Sequence, residues 1–370
     1  MLRRIGLTNF KCFENLDLPC APLNLLCGLN GTGKSSVIQA LLVLRQSFET
    51  GDLQEGRLVV GGSLTDLGAG SDVLFEDVGD EVVGFTLHGD QGRPVWAQHF
   101  GCSRGGDQLT AANPDVGAVA AWREVAPFGG RLVYVQADRT GPRGSYPLSE
   151  VLARRGDFGR HGEYAWNYLN DHQDDSLPAD DPRCENGSTH RLRGAVDHWL
   201  QDVSPGAHLE LESVLTTDAV LAGFTFERSG DVASRRHRAT NVGFGLSYVL
   251  PVVLALLSEP GTLCLVENPE AHLHPRGQTR LAELASRAAA AGVQVFAETH
   301  SDHFLDGVRL AVRDGLIAPE SVAVHYFERS EGRTVASSPV LDADGRLSRW
   351  PAGFFDQHEE NLARLLAPRS

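Results

Sequence analysis

Apolar and polar positions change rhythm along the chain, and each rhythm predicts an element. Residues 2–27 first alternate and then run apolar (RIGLTNFKCF, LDLP, LNLLC), which predicts two or three strands with the last, 23–27, buried. From Lys34 to Phe48 the residues Val37, Ile38, Leu41, Leu42, Leu44 and Phe48 recur at helical spacing, so a helix follows. Between 57 and 136 short β-like runs (RLVV, EVVGFTLHG, PVWAQHF, RLVYVQ) alternate with glycine-rich turns and predict an antiparallel layer. The stretch 140–240 reads as a helix near 164–170, a mobile turn-rich segment (DDSLPADDPRCENGS), a helix near 192–200, and strands near 209–214 and 221–227. From 246 onward helix and strand alternate (LSYVLPVVLALL, TLCLVE, QTRLAELASRAAAA, VQVFAETH), the signature of a mostly parallel sheet covered by helices. Sustained heptads and internal repeats are absent from the pattern.

An α/β chain results, divided as an N-terminal part (1–140), an inserted middle lobe (141–240), a C-terminal part (241–320), and a terminal hairpin and helix segment (321–370). Its 370 residues, 42% hydrophobic and 22% charged, are ordinary for a soluble globular protein. The net charge of −15 argues against a surface coated by nucleic acid and confines DNA binding to local clusters. Candidates are the arginines at 139, 143, 154, 155 and 160 and the run Arg235-Arg236-His237-Arg238; the competing reading is solvated faces in an arginine-biased protein. Six cysteines without a C-x-x-C pair fit reduced thiols in a cytoplasm. The N-terminus lacks a signal-peptide pattern, and the strongest apolar run, 248–257, is about half of a bilayer span, so no membrane part is expected. Only Lys11 and Lys34 are lysine among 33 basic residues. A lysine kept against that bias points to a site that needs a compact point charge.

Lys34 lies in GLNGTGKS, residues 28–35, a complete G-x-x-x-x-G-K-S between a buried strand and an amphipathic helix. Glycines let backbone amides converge on phosphate oxygens, Lys34 reaches the β- and γ-phosphates, and Ser35 supplies a magnesium ligand. Asn30, Gly31, Thr32, Gly33, Lys34, Ser35 and Ser36 are therefore the expected ATP-binding set. LCLVENPEAHLHP predicts a buried strand delivering Glu267 to the nucleotide, since ligands of parallel sheets sit beyond the strands' carboxyl ends. VQVFAETHSDHFL is a second such strand, presenting His300 to a γ-phosphate or attacking water. In TNVGFGLSYVLPVVLALL, Gly243, Gly245 and Ser247 precede an apolar helix and form a second candidate anion loop.

Taken in order, I-x-L-T-N-F-K-C-F, the P-loop, V-G-F-G-L-S, L-V-E-N-P-E-A-H-L-H-P and E-T-H-S-D resemble the ABC-type ATPases of the RecF, SMC and OLD lineage. The resemblance extends to stand-alone bacterial AAA-family ATPases with a C-terminal W-P-x-G-F-F-D segment, here residues 350–356. It implies an ABC-type P-loop head with an antiparallel β lobe, and a head-to-tail homodimer with Mg2+ and ATP at the interface. Ser247, with Gly243 and Gly245, would meet the partner's γ-phosphate, Gln136 would match the magnesium-sensing glutamine beside Ser35 and Glu267, and His300 would take the switch-histidine place. In that pattern Asn268 stands where the hydrolytic glutamate is expected. A neutral amide cannot take a proton as a carboxylate does, and general-base help is worth ~10²–10⁴ in rate. Glu270, two residues on, is the substitute base, so weak, partner-stimulated hydrolysis is expected.

Four alternatives compete. Glu270, His272, His274, His300 and His303 have spacings that zinc sites also use. LDADGRL at 341–347 contains a nuclease-like D-x-D, although its flanks read as a hairpin turn. The leading function is an ATP-driven switch controlling an effector protein in bacterial anti-phage defence or DNA maintenance; a non-hydrolysing ATP-dependent scaffold and a transporter's ATPase subunit are the others.

Overall fold

The computed structural model of the protein describes residues 1–77, 79–103, 105–114, 119–184, 190–228, 232–350 and 357–366. The chain opens with β1 (Arg4–Phe10), β2 (Phe13–Pro19), β3 (Leu23–Gly28) and α1 (Lys34–Glu49), followed by β4 (Arg57–Val59), α2 (Gly70–Val73), β5 (Val82–His88), β6 (Pro94–Gly101) and β7 (Gln108–Ala111). Then come α3 (Val119–Trp122), β8 (Leu132–Val135), β9 (Tyr146–Pro147), α4 (Glu150–Arg155), α5 (Ala165–His172), α6 (Leu192–Val203), β10 (Ala207–Val214), β11 (Ala219–Arg228), β12 (Val232–Ala233) and β13 (His237–Arg238). The C-terminal part holds α7 (Phe244–Leu256), β14 (Leu263–Glu267), α8 (Pro275–Ala290), β15 (Gln294–Glu298), α9 (Asp302–Arg313), β16 (Val322–Ser330), β17 (Arg333–Ser337) and α10 (Gln357–Leu366).

Three sheets organise these elements. The central one has the order β17-β16-β3-β15-β14-β8, parallel except for β17. Its inner strands β3, β15 and β14 are buried on both faces, which explains why LNLLC and LCLV read as continuous apolar runs. One face carries a core of α1 with the antiparallel sheet β2-β1-β5-β6-β7-β4. The other carries α5 to α9 and the sheet built on β10 and β11. Alternation sorts the side chains: Leu265 and Phe296 face α1, whereas Cys264, Val266, Val295 and Ala297 face the opposite core.

Two sequence expectations change, the sheet that RLVYVQ joins and the exposure of the acidic stretch. RLVYVQ does not join the antiparallel layer; its strand β8 pairs in parallel with β14 and forms the edge of the central sheet. A four-residue run has no periodicity to separate the two sheet types. From the stretch 141–240, Trp166, Trp199 and Phe224 join the cluster that holds α7 and α8. In the acidic stretch expected to be mobile, Asp181 and Arg183 are buried. The 341–347 segment is a turn, with Leu341 bridging Leu347 and Asp342 N–H donating to Arg346 O at 2.9 Å. Of the W-P-x-G-F-F-D segment, only Trp350 lies within the described residues.

Candidate nucleotide site

The loop between β3 and α1 is shaped by three glycines at positive φ: Gly28 at 139°, Gly31 at 74° and Gly33 at 94°. A Cβ on Gly28 would lie 2.2 Å from Phe327 O, and one on Gly33 would lie 2.4 Å from Cys12 Sγ. Gly31, by contrast, borders open space, so the loop is braced on the protein side and free on the cleft side. Lys34, 3% exposed, points its Nζ back under the loop and donates to Leu29 O at 2.7 Å. Thr32 Oγ1 donates to the same carbonyl at 2.7 Å. Desolvation draws the Lys34 ammonium below its ordinary range, against the pull of Glu298.

The loop borders a cleft of about 710 Å3 that also takes in Lys11, Gln39, Asp72, Glu298 and Arg329. Asn30, Gly31, Gly33, Lys34, Ser35 and Ser36 all line it. Lys11 is a cleft residue that motif reading left without a role, although its rarity signalled one. It has φ 54°, and its Nζ donates to Gln39 Oε1 at 2.7 Å.

The carboxyl ends of β14 and β15 lie beside the loop, and from them Glu298 lines the cleft. Glu267 accepts from Tyr134 OH at 3.0 Å and from Ala137 N–H at 3.1 Å. Asn268 follows at φ 45°, its N–H donating to Glu298 O at 2.8 Å. Glu270 Oε1 accepts the His300 N–H at 2.8 Å, and burial pushes its carboxyl up. His300 is drawn down by partial desolvation and by the charge of Lys34. Asn268 Oδ1, Glu270 Oε2 and Glu298 Oε2 are buried without a partner among the described residues. Buried oxygens are normally satisfied, and three orphans at adjacent strand ends mark a place where a ligand or water belongs.

Glu298 was not among the expected site residues. It is 7% exposed, and its carboxylate lies 3.9 Å from Lys34 Nζ. Desolvation pushes it up to about 7, opposed by a hydrogen bond with Ser35 and reinforced by the nearby Glu267.

Other expected residues lie elsewhere. Gln136 follows β8, with its amide nitrogen 3.3 Å from His161 Nδ1. Ser247 is 1% exposed inside α7, so it presents nothing to a second copy in this conformation; Gly243 and Phe244 are the exposed part of that segment. A serine one turn inside an apolar helix packs inward, and the glycine N-cap stays outside. His272 packs edge-on to Tyr248 at 4.5 Å between ring centroids, and His274 caps α8, so these two histidines do not converge with Glu270.

Arg139, grouped with surface arginines on sequence grounds, is 3% exposed. It donates to the carbonyls of Tyr248, Glu267 and Asn268, and burial draws it down to about 10. It holds the turn after β14 against α7 and is not available to DNA. Arg236 is spent on Glu210 and Glu212, while Arg143, Arg155 and Arg160 remain exposed.

Comparison with known proteins gives family matches for parts of the chain and a likeness of fold. Residues 1–80 match the family described as "AAA ATPase domain", and residues 158–306 match "AAA domain, putative AbiEii toxin, Type IV TA system". Residues 317–365 match a protein of unknown function, DUF3696. An OLD nuclease from Thermus scotoductus is 44% identical over 41 residues, which cover 11% of this chain and 8% of that protein. The crystal structure of an SmcHead bound to the C-winged helix domain of ScpA superposes with a TM-score of 0.53 at 15% identity, covering 92% of this chain and 98% of that one. At that identity the likeness is one of fold, and the fold is that of an SMC-type ABC P-loop head.

Proposed function

From the matches of residues 1–80 and 158–306 to AAA ATPase families and the SMC-type head fold, we propose that the chain is an ABC-type ATPase of the RecF, SMC and OLD lineage that binds Mg-ATP in the P-loop cleft, hydrolyses it slowly, and closes on a second copy to control an effector protein. The observation that carries the nucleotide reading is the braced loop with Lys34 beneath it and the carboxylate of Glu298, with one unpartnered oxygen, in the same cleft. Loop amides and Lys34 bind and orient the triphosphate, and Ser35 faces the metal side. Bound Mg2+ would supply charge neutralisation at the β- and γ-phosphates.

Glu270 is the base. The His300 N–H fixes one of its oxygens and leaves the other free to take a proton from water, and burial raises its basicity. Asn268 can position that water through Oδ1 but cannot accept its proton. Raising Glu270 into a turn held by Arg139, two residues beyond the usual place, supports slow turnover that a partner accelerates. The SmcHead has a winged-helix domain bound, which supports a protein partner for this head as well. A role in anti-phage defence or DNA maintenance rests on the lineage.

Phosphate release under multiple turnover tests the reading. Lys34→Ala is expected to abolish ATP binding in calorimetry. Glu270→Gln is expected to keep binding and lose about 10²–10⁴ in rate, and Asn268→Glu to raise the rate. Tight ATP binding without turnover in every form would replace the enzyme with the scaffold.

A further inference from the structure

We propose that Glu298 is a metal-side carboxylate of the nucleotide site, completing with Ser35 and Glu267 the oxygen set for the divalent cation that accompanies ATP, and pairing with Lys34 when that cation is absent. The assignment rests on the ATP reading above and adds a residue that the P-loop and the β14 motif do not contain.

Topology puts Glu298 there. β15 lies between β3 and β14, and Glu298 is in register with Leu26 on one side and Glu267 on the other. Phe296 and Leu265 face α1, so the two-residue period sends Glu298 and Glu267 to the same face, under the start of α1. Glu298 is the acid from these strand ends that lines the P-loop cleft.

The contacts specify what it is for. One side of the carboxylate faces Lys34 at 3.9 Å and Ser35, yet Oε2 is buried without a partner among the described residues. Glu267, the acid expected at the metal, already accepts bonds from Tyr134 and Ala137 on its two oxygens. Two neighbouring carboxylates, Glu298 buried and Glu267 half-buried, repel, and a hard divalent cation, which takes oxygen ligands, relieves both the repulsion and the orphaned oxygen. A purely structural counter-ion for Lys34 would not need the second carboxylate beside it. When phosphates draw Lys34 away, that counter-ion would be left buried and unpaired unless a cation replaced it.

The test measures ATP affinity by calorimetry in Mg2+ and in EDTA, for the wild type and Glu298→Gln, with folding checked by circular dichroism. The wild type is expected to bind more tightly with Mg2+. Glu298→Gln is expected to lose about 10–100-fold of that enhancement, while its binding in EDTA is unchanged or tighter because a negative charge has left the triphosphate's surroundings. Full retention of the Mg2+ enhancement, with weakened binding in EDTA, would overturn the assignment in favour of a structural partner of Lys34. Should the glutamine variant not fold, Glu298→Asp decides, since a carboxylate drawn back by one methylene should lower the Mg2+ enhancement more than that of the larger Mn2+. An Mg2+ to Mn2+ ratio equal to the wild type's would again overturn it. A wild type that binds no ATP in either condition would remove the ATP reading itself and this assignment with it.

Discussion

His325 sits in the middle of β16, fully buried, in register with Leu26 of the phosphate-loop strand. Its Nδ1 lies 2.8 Å from Ser338 Oγ, and its Nε2 has no partner among the described residues. Burial lowers its pKa from 6.5 to about 4, so the folded protein holds it neutral. The unfolded chain takes up a proton near pH 6.5, and the folded chain does not until about 4. The stability linked to this site is therefore complete above 6.5, falls as pH drops towards 4, and levels off below. At 1.36 kcal/mol per pH unit the loss is about 3 kcal/mol. Urea midpoints measured from pH 7 to 4.5 are expected to fall less for His325→Asn than for the wild type; equal slopes would refute the account. At this scale the sequence was informative where chemistry is local. Lys34 and Ser35 announce themselves because glycines, lysine and serine lie within eight residues. Glu298 does not, because its role depends on β15 slotting between two strands far from it in sequence, and the same letters could end any buried strand.

Helix α7 is apolar around its whole circumference, and a loop adds to the backbone bonds that close its end. Arg183, 1% exposed, donates to Leu256 O and Ser258 O while holding both oxygens of Asp181 at 2.8 and 2.6 Å. Trp199 Nε1 donates to Arg183 O at 3.0 Å and ties the same loop to α6. A guanidinium at a helix C-terminus meets the negative end of the dipole and the unpaired carbonyls together. Removing it leaves Asp181 buried and unpaired, so Arg183→Met is expected to cost about 3–5 kcal/mol in chemical unfolding. Asp181→Asn with Arg183→Met should recover part of that loss. A change below about 1 kcal/mol, the value of an exposed pair, would contradict the buried geometry. The composition of DDSLPADDPRCENGS reads as a solvated loop because its acceptors lie more than seventy residues away, on carbonyls that no sequence pattern displays. Helices α5 and α6 and strands β10 and β11 were legible, since their periodicity is local. The assignment of β8 to its sheet was not.

Across the whole molecule, the central sheet separates two cores, and the nucleotide cleft opens where the carboxyl ends of its strands meet both. One face supplies α1 and the antiparallel lobe, and the other supplies α7 with its glycine N-cap. Arg139 bridges the turn after β14 to the Tyr248 carbonyl of α7, so a displacement of that helix is transmitted directly to the backbone of Glu267 and Asn268. Two large apolar side chains remain exposed at these elements: Leu29, 65% exposed in the phosphate loop, and Phe244, 57% exposed at the start of α7. In the proposed closed dimer the phosphate loop of one copy faces the α7 start of the other, which buries both side chains. The apolar area then helps to hold the copies together only when ATP aligns them. Phe244→Asp is accordingly expected to leave ATP binding to the single copy unchanged while abolishing ATP-dependent dimers in light scattering, and to lower turnover at high protein concentration. Dimers of normal stability in that variant would place the interface elsewhere, and turnover would then have to be explained within one copy.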